Sequence, residues 1–137
     1  MIKFFSTCVL VLLSIMTTKA QITSDRAVEV VQQQLDAYNS KDLGAFVAVF
    51  HSDAEIYNLG DSEPIAKGTD DLLRIYGNLF RNSPNLHSSV VSRQVIGNKV
   101  LDYEVITGRN NQTEPLYLIA IYEVEDAKIK RCFFVRP

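Results

Sequence analysis

The sequence predicts an α+β fold in which a curved antiparallel sheet wraps into a cone around three N-terminal helices. Three segments with a helical spacing of apolar residues lie before Pro84, and one strand-like segment separates the second from the third. Four strand-like segments follow Pro84 with no helix among them. This separation of helices from strands favours an α+β fold over one that alternates strands and helices.

The first 20 residues have the pattern of a secretory signal peptide. Lys3 precedes an apolar run over residues 8–16, and Thr18-Lys19-Ala20 is typical of a small-residue cleavage site. The apolar run is too short to span a bilayer. We therefore expect cleavage after Ala20, a secreted or periplasmic protein, and one mature domain over residues 21–137.

The composition of the mature part argues against several partners. Loss of Lys3 and Lys19 takes the 14 basic residues to 12, against 16 acidic ones. An acidic domain without a basic run is a poor candidate for binding nucleic acid or an anionic membrane. Cys132 is then the only cysteine, so no internal disulfide can form. The two histidines lie far apart without a cysteine pair, so we expect no metal and no cofactor.

The first helix is predicted near residues 24–39. Ser24 or Asp25 can accept the free amide hydrogens of its first turn. Apolar side chains recur at the spacing of one helix face, at Val28, Val31, Leu35 and Tyr38. The residues Asn39-Ser40-Lys41-Asp42 then favour a break in the helix.

Two shorter helices and a strand follow. The second helix is predicted to begin after Asp42 as its cap and to end at residues 51–53, before a strand over residues 54–58. The third is predicted to begin with Thr69 as its cap and to end before Pro84, because proline cannot continue a helix.

The four later strands are predicted to form an antiparallel meander that starts with a hairpin. The dipeptide Gly97-Asn98 can take the positive φ angles of a tight turn, so it sets the register of the two flanking strands. The register places Arg93 opposite Asp102 and Val91 opposite Glu104. Residues 116–124 are almost continuously apolar, so both faces of that strand are predicted to be covered.

Side-chain alternation divides the hairpin into two faces. One face is predicted to carry an ionisable cluster and to point toward the helices, with His87, Ser89, Val91, Arg93, Asp102 and Glu104. The other is predicted to carry apolar residues, among them Val90, Ile96, Tyr103 and Val105. If the cluster is buried, its proton affinities are perturbed and a ligand role follows. The alternative is a cross-strand ion pair on a solvated surface, which contributes little.

Four segments resemble the nuclear transport factor 2-like superfamily, in particular its bacterial SnoaL-like and ketosteroid-isomerase-like domains. They are DAYNSKDLGAFVAVFHSDAEIYN, KGTDDLLRIYGNLF, LHSSVVSRQVIGNKVLDYEVITG and IAIYEVEDAKIKRCFFV. The resemblance covers essentially the whole mature chain and implies the cone fold with a ligand pocket. The superfamily includes isomerases, polyketide cyclases, dehydratases, binding proteins and association domains, so the resemblance implies no single reaction.

The ketosteroid-isomerase mechanism is not carried over. In those enzymes an aspartate base, a tyrosine and a protonated acid act together, and the corresponding positions here are Asn58, Gln34 and Ala120. An amide cannot take the substrate proton at neutral pH, and an alanine cannot donate a hydrogen bond. The resemblance therefore implies the pocket without this set of catalytic groups.

Three functions remain open at this stage. The first is the binding of a small hydrophobic or polyketide-like molecule, with Tyr57, Asn58 and Arg93 as contacts; Arg93 could grip a ligand carboxylate if Asp102 and Glu104 leave it free. The second is an acid-base enzyme, an isomerase, cyclase or dehydratase, with His87, Asp102 and Glu104 moving protons. The third is an association module. For any of them we expect a homodimer through the outer sheet face.

Overall fold

The computed structural model describes the backbone of residues 5–137 and the side chains of residues 18–137 except Ile22. The helices and strands follow in the order α1 (Phe5–Ser40), α2 (Leu43–Ala48), β1 (Phe50–Asn58), β2 (Ala66–Lys67), α3 (Gly68–Arg81), β3 (His87–Ile96), β4 (Lys99–Thr107), β5 (Leu116–Glu125) and β6 (Lys128–Val135). This order confirms the predicted α+β fold.

The six strands form one curved sheet in the spatial order β2-β1-β6-β5-β4-β3. Strands β3 to β6 are the predicted antiparallel meander. Strand β1 lies on the other side of β6 and pairs with it in parallel. A tight hairpin cannot join parallel strands, so the chain must cross the sheet between them. The three helices pack on the inner face and complete the cone.

Helix α1 begins well before the predicted start. Residues 5–40 contain neither glycine nor proline, so no residue favours a break near residue 24. The predicted capping role of Ser24 or Asp25 is therefore wrong. Ser24 lies within the helix, and its hydroxyl donates a hydrogen bond of 3.1 Å to the carbonyl of Gly97 in the β3–β4 turn. Most side chains of the predicted signal peptide lie outside the described residues, and cleavage after Ala20 stays a prediction.

Of the two N-terminal caps predicted for α2 and α3, only the cap of α2 is observed. Asp42 caps α2 as predicted, because its carboxylate accepts a hydrogen bond of 3.0 Å from the amide of Ala45. The cap of α3 is Lys67 rather than Thr69, and the Asp71 carboxylate accepts from the Lys67 amide at 3.0 Å. Residues 51–53 do not end α2 but lie in β1, which starts at Phe50.

The predicted hairpin register holds only near the turn. Arg93 pairs with Asp102 as expected, but a β-bulge between Val90 and Ser92 leaves Val91 without a partner. One extra residue in a strand reverses the faces of every residue beyond it. The predicted placement of His87, Ser89 and Val91 on the inner face, and of Val90 on the outer one, is therefore wrong. The residues that face inward there are Val90, opposite Glu104, and Ser88, opposite Ile106.

The core lies between the helices and the inner sheet face. Phe46 of α2 is fully buried at its centre, and its ring centroid lies 4.3 Å from that of Tyr76 and 5.1 Å from that of Phe50. Tyr38 and Phe80 extend this aromatic group at 6.2 and 5.7 Å from Phe46. These ring contacts pack the three helices against one another and fill one end of the cone.

Strands β4 and β5 carry uncovered apolar side chains on the outer face of the sheet. Tyr117 and Ile119 of β5 are 46% and 39% exposed, so the prediction that both faces of this strand are covered is wrong. Tyr103 of β4 is 38% exposed beside Tyr117, with ring centroids 6.5 Å apart. Homodimer formation through this face stays a prediction, and Val90 is no longer part of the expected interface. Within the described part of the chain, no helix is long and apolar enough to cross a membrane.

Candidate functional site

A cavity of about 150 Å³ lies between α1, α3 and the concave face of the sheet. Much of its wall is apolar, with Leu35, Ile75, Leu79, Ile106, Leu116 and Leu118. Tyr38 and Tyr76 also line it, and neither hydroxyl has a hydrogen-bond partner among the described residues. A cavity with this lining suits a molecule that has an apolar body and a few polar groups.

Glu104 is the carboxyl group of this cavity. Strand β4 turns it inward, and the residue is only 6% exposed. The Ser88 hydroxyl donates to one of its oxygens at 2.9 Å, and the Tyr122 hydroxyl donates to the other at 3.1 Å. Gln34 of α1 lies next to this group, with its side-chain oxygen 3.4 Å from the Tyr122 hydroxyl. The carboxyl group is therefore held in one orientation by β3 and β5.

Burial raises the pKa of Glu104 above its ordinary value of 4.5, although the hydrogen bonds from Ser88 and Tyr122 act in the opposite direction. Burial also raises the pKa of Tyr122 well above its ordinary value, and the charge of Glu104 adds to this effect. Tyr122 is thus a hydrogen-bond donor at neutral pH, and the raised pKa means that Glu104 holds its proton more tightly than an exposed glutamate does.

The raised pKa predicts a pH-dependent stability difference between the wild type and Glu104→Gln. As pH rises above about 4.5, the unfolded chain releases the Glu104 proton before the folded protein does, so the wild type loses stability until the folded pKa is passed. We expect the variant to gain stability relative to the wild type as pH rises from about 4 to about 8. Urea unfolding across this range measures the difference.

A matched control is Glu114→Gln, which removes the same charge from an exposed position. Subtracting the wild-type curve cancels the titration of all other groups, so the slope that remains belongs to the substituted residue. A stability difference that stays constant between these pH values for Glu104→Gln contradicts the prediction.

Arg93 and Asp102 form a closed pair beside the cavity instead of lining it. The Arg93 guanidinium donates two hydrogen bonds of 2.7 Å to the two oxygens of Asp102, which is 1% exposed, and a third of 3.1 Å to the Gln32 side chain of α1. Both side chains point toward the helices, as predicted. The carboxylate nevertheless occupies the guanidinium, so neither group is available to a ligand in this structure.

The other predicted site residues lie away from the cavity. His87 is exposed beyond the β-bulge. Tyr57 stacks on Phe133 with ring centroids 5.5 Å apart and donates to Glu55 at 2.8 Å, and it does not line the cavity where a ligand contact was predicted. Asn58 donates to Asp61 at 3.1 Å, and its buried side-chain oxygen has no partner among the described residues.

Two of the three positions that correspond to the isomerase groups are buried in the cone. Gln34 is 7% exposed and lines the cavity beside Tyr122. Ala120 is fully buried opposite Asp102, where its methyl group offers no proton donor. The carboxyl group of the cavity is instead provided by Glu104, from the neighbouring strand.

Four polar residues of the cavity were not predicted from the sequence: Ser88, Tyr122, Arg109 and Arg136. Alternation along β5 could have identified Tyr122, because it shares the inner face with Leu118 and Ala120. Ser88 depends on the β-bulge, for which the sequence carries no strong signal. Arg109 and Arg136 lie beyond strand ends, where alternation carries no information.

Among the described residues, neither the cysteine nor possible metal ligands give a second site. Cys132 is 1% exposed, and burial raises the pKa of its thiol well above the ordinary value, which disfavours the reactive thiolate. No group of three or more metal-binding side chains occurs among the residues described.

Comparison with solved structures supports the fold. An uncharacterized cystatin-fold protein from Novosphingobium aromaticivorans shares 24% identity with a TM-score of 0.73, over 80% of this chain and 97% of that one. A nuclear transport factor 2-like protein of unknown function from Cytophaga hutchinsonii shares 13% with a TM-score of 0.67, over 81% and 89%. An LEH-like epoxide hydrolase from M. tuberculosis shares 18% with a TM-score of 0.65, over 83% and 84%.

Sequence comparison places the chain in a family. No curated protein sequence matches it. The family model described as SnoaL-like domain matches residues 31–132, from the last third of α1 to the centre of β6. These residues include Gln34, Ser88, Glu104 and Tyr122, the hydrogen-bonded polar group of the cavity. The chain therefore belongs to the SnoaL-like domain family and has the nuclear transport factor 2-like cone fold.

Proposed function

We propose that this domain binds a small organic molecule in the cone cavity, with an apolar body against the aliphatic wall and a polar group at Glu104. The observation that carries the proposal is the buried Glu104 carboxyl, held by Ser88 and Tyr122 inside a cavity rather than against another charged group. A buried carboxyl group without an ion pair is costly for the fold, and a ligand that bonds to it offsets this cost.

The size of the cavity favours the smaller of the expected ligands. A cavity of about 150 Å³ accommodates about one benzene ring. A polycyclic polyketide needs several times this space, so binding one requires the helices to move outward. We therefore propose a small hydrophobic body, with one ring or a short branched chain.

An acid-base enzyme is the second candidate, and Glu104 is the specific observation in its favour. Burial raises the pKa of this group, which brings it closer to neutral pH, where a carboxyl can both accept and donate a proton. In such a reaction Glu104 removes a proton from a ligand carbon or hydroxyl and returns it to a neighbouring atom. Tyr122 and Ser88 position the carboxyl group, and Gln34 lines the cavity beside Tyr122.

The proposed function is tested by native mass spectrometry of the protein purified from its own host. A small molecule that remains bound, and that is lost on filling the cavity with Leu118→Trp, is the expected result. Val91→Trp, at an exposed bulge residue, is the matched control and should keep the molecule. A wild-type protein that is free of ligand under these conditions, and that binds no member of a small-molecule library, contradicts the proposal.

The same spectra test two further proposals. We propose export and dimer formation, supported by the N-terminal pattern and by the exposed apolar outer face around Tyr103, Tyr117 and Ile119. Cleavage after Ala20 predicts the intact mass of residues 21–137, and association predicts twice that mass. The full-length mass or a monomer at micromolar concentration contradicts the respective proposal.

Glu104→Gln separates the binder from the enzyme once the ligand is known. Glutamine keeps the shape and most hydrogen bonds of the carboxyl group but cannot transfer a proton, so affinity is expected to stay within about fivefold. Turnover, if the wild type shows any, is expected to fall by about 100-fold or more. Unchanged turnover would remove Glu104 as the group that transfers the proton.

A further inference from the structure

Two arginines of the cavity lack the carboxylate partner that most other arginines of the described chain possess. Arg109 follows β4 and Arg136 follows β6, and both line the cavity. No carboxylate of the described residues forms an ion pair with either. Ion pairs to carboxylates are made by Arg26, Arg74, Arg93 and Arg131. We call the solvent-accessible part of the lining around Arg109 and Arg136 the cavity mouth.

The backbone around Arg109 and the guanidinium group of Arg136 are held near the cavity by neighbouring contacts. Arg109 is preceded by Gly108 with a φ of 69°, and the following amide, that of Asn110, donates to the Ser83 hydroxyl at 2.8 Å. The Arg136 guanidinium lies over the ring of Phe134, 5.0 Å from its centroid, and Phe134 itself lines the cavity. Part of the entropy cost of ordering the Arg136 side chain on a ligand is therefore already met by the fold, and the position of the Arg109 backbone is set.

The charges of the lining favour an anion. Arg109 and Arg136 are opposed by one carboxyl among the described lining residues, that of Glu104, whose neutral form burial favours. The nearby Asp102 is already neutralised by Arg93. Burial raises the pKa of Tyr38, and Glu104 adds to this, whereas Arg109 and Arg136 lower it, so both cations act on the space beside the Tyr38 hydroxyl.

We propose that the ligand carries an anionic group that Arg109 and Arg136 bind at the cavity mouth, on an apolar body of about one ring that enters the cavity. This inference rests on the proposed function and names its ligand class, a small aryl or alkyl carboxylate. A carboxylate matches the planar guanidinium group, which can donate two parallel hydrogen bonds to it. The apolar body then reaches the aliphatic wall, while polar substituents meet the Tyr38 and Tyr76 hydroxyls or Glu104.

Isothermal titration calorimetry with 3-phenylpropanoate and its neutral amide, 3-phenylpropanamide, tests the inference on the full chain. The two probes share the ring and the chain length and differ in charge. We expect the carboxylate to bind about tenfold more tightly than the amide at low salt. Arg109→Gln and Arg136→Gln are each expected to weaken carboxylate binding by about fivefold or more and to leave amide binding unchanged. Arg74→Gln, on the exposed face of α3, is the control that removes the same charge elsewhere.

The outcomes separate this inference from the proposed function. Equal affinities for the two probes, or a carboxylate affinity that survives both substitutions, overturn the anionic ligand class and leave the proposed function intact, because the amide still occupies the cavity. A cavity that binds neither probe also overturns the ligand class. The proposed function itself fails only if, in addition, the native protein carries no ligand and none binds from the library.

Discussion

Replacing Arg93 by methionine is expected to lower the free energy of unfolding by about 3 kcal/mol, because it leaves a buried carboxylate without a counter-charge. Asp102 is 1% exposed and receives two guanidinium hydrogen bonds of 2.7 Å. The arginine side chain is 19% exposed, so some solvent reaches the pair and the loss falls at the lower end for buried ion pairs. Methionine retains most of the aliphatic packing. Equilibrium unfolding in urea measures the change.

Two further variants distinguish the cost of the unpaired charge from lost packing. The double variant Arg93→Met with Asp102→Leu removes both charges, and we expect it to recover most of the lost stability. Lys130→Met breaks the solvent-exposed pair with Asp53 and is expected to change stability very little. A double variant as unstable as Arg93→Met alone would show that the loss comes from packing or from the Gln32 contact, and not from the isolated carboxylate.

Replacing Gly108 by alanine is expected to destabilise the protein by about 3 kcal/mol in total, through two separate effects. The residue has a φ of 69°, a conformation that costs a residue with a Cβ about 1–2 kcal/mol. The added Cβ would also overlap the backbone carbonyl of Asn85, which cannot rotate away as a side chain can. The loop that carries Arg109 must then move, so binding of the carboxylate probe should weaken together with stability.

Gly97→Ala is the matched control for this substitution. Gly97 has a φ of 58°, close to that of Gly108, but a Cβ built there meets no atom within 4 Å. It is therefore expected to show the backbone strain alone, about 1 kcal/mol, and unchanged probe binding. Equal stability losses for the two alanine variants would mean that the loop moves freely away from Asn85, and would contradict a rigid placement of Arg109.

The sequence predicted the parts of the fold that depend on local patterns. Apolar periodicity located the three helices, and the Gly97-Asn98 turn set the pairing of Arg93 with Asp102. It also placed Glu104 on the inner face, because the bulge lies on the partner strand and does not change alternation along β4. The beginning of α1 was not predicted, because Ser24 and Asp25 are typical of a helix start but lie inside a helix that begins earlier in the chain.

Placement of the other site residues depends on tertiary structure. His87 and Ser88 exchange faces through one extra residue at Val91, and a Ser-Ser-Val-Val-Ser run has no glycine to mark it. Arg109 and Arg136 are 27 positions apart in the sequence and line one cavity only because β4 and β6 end at the same side of it. No sequence periodicity relates the residues after β4 to those after β6. The sequence alone therefore could not predict that both arginines line the cavity.

The β-bulge at Val91 also affects how readily copies of this protein aggregate through their sheet edges. Strand β3 is the last in the sheet, so one row of its amides and carbonyls faces no neighbouring strand. A long, flat edge of that kind is a template on which further chains can add, as in fibre growth. The unpaired residue twists the edge and breaks its hydrogen-bonding repeat halfway along, which shortens any stretch that a second edge could match.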